Sequence, residues 1–160
     1  MKKCFVARAT FLMLAAVVYS AYPVMAWDPE KRKDLGYDHV DMHWYILDYG
    51  IKEDGYPFAV ARKYYTNEGI KKETIELLMS KFDYDAEKAG SLEFTEYGYE
   101  YTKDGTQFTI AYIRHCSLVG DDIHTTVFDD SSEDTKRVFA DVDLGHASGK
   151  AVALAMSKNN

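Results

Sequence analysis

LEFTEYGYEYTKDGTQFTIAYIRHCSLV, residues Leu92–Val119, is the stretch whose reading decides the fold. Leu92 to Thr102 and Thr106 to Val119 both alternate with a period of two and are rich in aromatic and β-branched residues. Side chains on a strand point to opposite faces in turn, so the pattern predicts two strands. Between them stands Lys103-Asp104-Gly105, and glycine accepts the positive φ of a tight connection, so the strands form an antiparallel hairpin.

Toward the C-terminus, Asp122 to Phe128 reads as a further strand after Gly120-Asp121, and Asp129 to Asp134 as an acidic polar loop. Lys136 to Val142 completes the strands through Val138, Ala140 and Val142, and Ser148 is placed to cap a helix striped by Ala151, Val152, Ala155 and Met156. Toward the N-terminus the period changes. Ile75, Leu78, Met79, Phe82, Ala86 and Ala89 recur at helical steps, with Gly90 at a left-handed cap and Asp83-Tyr84-Asp85 as a point of breakage. Before it lie a strand through Met42, Trp44 and Ile46 and another through Phe58, Val60 and Tyr64, joined by a turn at Gly50 and Asp54-Gly55. Trp27 to Asp38 reads as a charged leader lying loosely on the surface. The expected architecture is α+β: an antiparallel sheet of about six strands, one helix between strands 2 and 3, and a C-terminal helix, with the helices covering one face.

Residues 1–26 read differently. Lys2, Lys3 and Arg8 precede an apolar run from Phe11 to Tyr22, and Val24-Met25-Ala26 ends it in a small-residue pattern. That is the plan of a secretory signal peptide, leaving residues 27–160 as a single α+β domain. The run is shorter than the ~20 apolar residues of a membrane span. The whole chain has 160 residues and a formal net charge of −7, and removing the leader takes three basic and no acidic residues, so the remainder is more acidic still. Such a field disfavours nucleic acid and anionic lipid as partners. Export leaves Cys116 without an internal disulfide partner, because Cys4 departs with the leader. On the alternation of Phe108, Ile110, Tyr112 and Leu118, Cys116 falls on an apolar strand face and reads as a small buried hydrophobe.

Catalytic patterns are sparse. His39, Asp41 and His43 share a face if the chain there is extended, and with His115, His124 or His146 as a further donor they are the candidate metal ligands. No H-E-x-x-H helix or G-x-S-x-G elbow occurs. Asp83 to Phe94 opens like a calcium loop but has Lys88 at its sixth position and Phe94 at its twelfth, where Gly and Glu belong. His115 and Cys116 are adjacent on a strand and so project to opposite faces. The aromatics carry more. Tyr97, Tyr99 and Tyr101 alternate along one strand, a composition that recognition surfaces favour, and they are the candidate binding residues. Tyr64 and Tyr65 extend that patch, and Arg114 is expected to pair with Glu96 or Glu100.

The layout resembles the exported bacterial surface-adhesin protein E-like group. The resemblance rests on His43-Trp44-Tyr45-Ile46-Leu47-Asp48 after the leader, on Arg62-Lys63-Tyr64-Tyr65 and on Ile113-Arg114-His115-Cys116. It rests also on Thr125-Thr126-Val127-Phe128-Asp129-Asp130 and the short C-terminal helix. It implies a small antiparallel-sheet domain at or beyond the cell envelope, with host-protein binding in some members. The chain departs from that pattern in lacking a partner for Cys116 and in its helix between strands 2 and 3. The function expected is an exported, non-enzymatic binding module without a cofactor, secreted, periplasmic or on the cell surface, that engages a protein or small molecule. A metal-binding protein or metal enzyme using His39, Asp41 and His43 is the alternative, and a structural subunit of an envelope assembly the second.

Overall fold

The computed structural model describes residues 32–157, so the signal-peptide reading lies outside the described residues. One curled antiparallel sheet is built from β1 (Lys33–Tyr37), β2 (His43–Ile51), β3 (Pro57–Tyr64), β4 (Leu92–Tyr101), β5 (Gln107–Ser117), β6 (Asp122–Val127) and β7 (Ala140–Asp141). The first six strands neighbour one another in chain order, and β7 pairs with β5. Helices α1 (Glu68–Phe82) and α2 (Ala86–Gly90) occupy the passage from β3 to β4, and α3 (Ala147–Ser157) follows β7. The expected α+β sheet with an intervening and a C-terminal helix is therefore what the chain forms.

The β4–β5 hairpin closes as its sequence dictates. Gly105 sits at φ 71°, and the Asp104 carboxylate accepts from the Thr102 hydroxyl and from the Thr106 amide and hydroxyl. All three helices lie on one face of the sheet. There Trp44, Ile46, Tyr49, Ala59, Ala61, Tyr99 and Tyr101 join Leu78, Ala89, Ala151, Val152 and Ala155 in one buried cluster. Ala59 and Ala61 opposite Ala151 and Ala155 present small side chains where α3 crosses β2 and β3. Asn67 caps α1 by accepting from the Gly69 and Ile70 amides. Among the described residues no helix is long and apolar enough to cross a membrane.

Four expectations are corrected. Residues 33–37 are not a loose leader: they form edge strand β1, whose exposed Lys33 and Asp34 suit an edge, with a bulge between Asp34 and Gly36. The predicted strand Lys136–Val142 shrinks to Ala140–Asp141, because Val138 and Phe139 have no facing layer and stay exposed. Gly90 is not a left-handed cap. Asp83 takes that role at φ 56°, ending α1 with its backbone N–H donating to Leu78 O, and α2 then runs through Gly90 to a right-handed Ser91. Ser148 does not cap α3, since the helix already starts at Ala147 and Ser148 is buried inside it. Its carbonyl accepts the Tyr101 hydroxyl at 2.7 Å.

Candidate functional site

Tyr97, Tyr99 and Tyr101 lie on the helix side of the sheet. Tyr101 is 1% exposed and Tyr99 is 6% exposed, both within the core, while Tyr97 is half-buried and tilts against Trp44 with centroids 5.3 Å apart. Burial raises the phenol of each, pushing Tyr97 up to about 12. The Lys63 ammonium stands 5.8, 5.2 and 5.5 Å from the rings of Trp44, Tyr65 and Tyr97, so its own cation already lies over this group. The alternation places three tyrosines in line on the helix side, with Tyr99 and Tyr101 in the core and Tyr97 half-buried beside it.

The intervening positions face the other way. Arg62, Glu96 and Arg114 are direct partners in the β3–β4 and β4–β5 registers, so their side chains meet on the face opposite the helices. Glu96 is 2% exposed. Its Oε1 accepts from Arg62 Nη2 at 2.8 Å, and both its oxygens accept from Arg114 Nη2, at 2.9 and 3.0 Å. Burial alone would lower both guanidinium pKa values. The Tyr64 hydroxyl and Glu96 outweigh it at Arg62, and the Glu96 charge outweighs it at Arg114, so both move up and both stay charged. Of the two partners expected for Arg114, the structure selects Glu96; Glu100 takes Lys52 and Arg137 instead.

Rings flank this triad. Arg62 lies 3.9 Å over the centroid of Phe94, and its Nη1 donates to the Tyr64 hydroxyl at 3.2 Å. From Phe94 a run of rings crosses four strands through Tyr64, Tyr45 and His43 to Tyr37, with successive centroids 5.5, 5.7, 4.3 and 4.4 Å apart. On the other flank the Tyr112 ring covers Gly98, where a Cβ would come within 2.3 Å of it. A bulge between Gly98 and Tyr99 makes this possible. Phe108 and Ile110 face the helices with Tyr101 and Tyr99, while Tyr112, opposite Gly98, faces away. The single apolar face expected for Phe108, Ile110, Tyr112, Cys116 and Leu118 is therefore divided between the two sides, and Leu118 lies beyond β5 and is exposed. Cys116 is fully buried and free, and burial pushes its thiol up to about 12, so it is an inert packing residue.

The candidate metal ligands do not converge. Residues 38–42 form a turn in which the Asp38 carboxylate accepts from the Val40 and Met42 amides and from Trp44 Nε1. Asp41 sits at φ 61°, so the extended geometry that would align His39, Asp41 and His43 is lost. His43 binds Asp34 at 2.9 Å, and the His39 ring lies 6.0 Å from that of His146. Among the described residues no three His, Cys, Asp or Glu side chains gather to hold a metal. His115 and His124 do meet, as register partners on the helix side with rings 6.4 Å apart. The first bonds Thr95 and the second bonds Tyr84 and Thr126.

The triad was half legible in advance. The sequence pairs Arg114 with Glu96 or Glu100 and leaves the choice open, whereas Arg62 enters only through the β3–β4 register. The signal for it is Phe94-x-Glu96-x-Gly98 interleaved with Tyr97-x-Tyr99-x-Tyr101, two faces of one strand. Compared with known proteins, the chain finds no match among family models, curated proteins or solved structures.

Proposed function

We propose that the chain is a non-enzymatic binding module, delivered by export, which takes its ligand on the sheet face opposite the helices, around Arg62, Glu96 and Arg114. The observation that carries this reading is a carboxylate 2% exposed and clamped by two guanidiniums on that face. Taking such ions out of water costs several kcal/mol each, and apolar side chains fill the same space at least as stably. A cluster of this kind points to use rather than to stability. Its members sit on three adjacent strands, which hold their spacing rigidly. The leader pattern and the layout resemblance to the protein E-like group support an address in the periplasm, at the cell surface or outside the cell.

The test is capture from the producing cell's envelope and medium on immobilised wild-type chain and on Arg114→Met, Tyr64→Ser and Tyr97→Ser, each checked for folding by circular dichroism. Loss with the first two and retention with the third supports the reading. Equal capture by all four folded proteins rejects this face as the binding surface.

A further inference from the structure

Resting on that binding-module reading, we propose that the group recognised at this face is a small oxyanion, carboxylate or phosphate in class, held by Arg62 and Arg114. The donor inventory leads there. Arg62 spends Nη2 on Glu96 and Nη1 on Tyr64, and Arg114 spends Nη2 on both oxygens of Glu96. The Nε–H of each guanidinium is sealed from solvent and has no acceptor among the described residues. Folded proteins rarely leave buried donors unmatched, and such a group calls for an acceptor from elsewhere. Here two stand on neighbouring cations that share one carboxylate, which leaves a formal surplus of one positive charge within a chain whose net charge is −7.

An incoming anion meets both requirements at once, charge and acceptor. The guanidinium fork matches the planar or tetrahedral oxygens of a carboxylate or phosphate. Tyr64 helps: its oxygen accepts from Arg62, so its own hydrogen is free to donate to the guest. Access is narrow. The Arg62 and Arg114 side chains are 19% and 13% exposed, and the site is walled by Phe94 and Cys116 on one flank and by the Tyr112 ring on the other. The negative charge of the whole chain repels a polyanion, which favours a small anionic head as the guest.

The experiment follows the Arg62 and Arg114 Nε–H resonances of the full chain by NMR at neutral pH. Sodium acetate and inorganic phosphate are the probes; acetamide and sodium chloride are the controls for shape and ionic strength. The expected result is a saturable shift of both Nε–H signals with acetate or phosphate and none with the controls, and the stronger of the two probes names the class. Arg114→Lys weakens the response by about tenfold or more, because an ammonium lacks the fork. Glu96→Gln tightens it, because a competing carboxylate is gone. In wild-type protein with a folded amide spectrum, a shift no larger than the chloride control overturns the oxyanion inference, whatever the variants do. The two readings fail separately. Silent Nε–H signals with capture still mapping to this face leave the binding module standing; shifted Nε–H signals with capture insensitive to the face variants remove the module's proposed surface instead.

Discussion

Glu96 holds two cations on its own, and its removal is the sharpest test of how that face is maintained. Glu96→Ala leaves both guanidiniums without their shared counter-ion and is expected to destabilise the fold by about 3–5 kcal/mol, measured by urea denaturation. The concerted change Arg62→Met, Glu96→Leu and Arg114→Met is expected to be neutral or stabilising by about 1–4 kcal/mol in the same assay. A large loss in the triple variant would show the triad to be a stability device. Cys116 offers no comparable handle, since its thiol is closed off and held protonated.

At the scale of elements, α3 is attached by backbone closeness more than by side-chain charge. A Cβ on Gly149 would fall 2.1 Å from the Asp143 carbonyl oxygen, a contact with backbone that no side-chain rotation relieves. Gly149→Ala must therefore displace the start of α3, with an expected loss of about 1–3 kcal/mol. Tyr101→Phe removes only the hydroxyl that bonds Ser148 O and is expected to cost about 1 kcal/mol. Thermal melts of the two variants rank these effects, and a Gly149→Ala protein as stable as wild type would contradict the packing described here. The hairpin, the α1 helix and the break at Asp83 to Asp85 were readable because each is local: a turn glycine, a 3.6-residue period, and a short polar interruption; of the expected stripe, Leu78 is buried while Met79 stays exposed. Strand β1 was not, because an edge strand with charged residues looks like surface chain until its partner is known.

Between about pH 6.5 and 4 the whole molecule responds to acid through two half-buried imidazoles, His115 and His124. Burial first, then His124 and Lys63, lowers His115 to about 4, with Asp122 opposing. His124 is also lowered, by burial first and then by Lys88 and Lys81, again against Asp122. An unfolded histidine titrates at about 6.5. Between these values the unfolded chain binds protons that the native chain refuses, so stability is full above about pH 6.5 and falls as pH drops toward 4, by about 1.4 kcal/mol per unit for His115. Urea midpoints across that window should fall with acid and should fall less steeply in His115→Gln; a flat profile would refute the burial of the pair.

By itself the amino-acid order determined the succession of strands and helices from β2 to β6, the antiparallel hairpin at Lys103 to Gly105 and the partnership of Arg114 with a β4 carboxylate. These depend on periods and turn residues that act over a few positions. Tertiary structure alone decided which face each residue joined. One extra residue at the bulge beside Gly98 sends Ile110 toward the helices and Tyr112 away from them, and packing on the helix side takes Tyr99 and Tyr101 into the core while Tyr97 stays half-buried. With side chains alternating every residue, a single-residue slip reverses a strand's faces, and only the pairing of strands distant in sequence shows where that slip occurs.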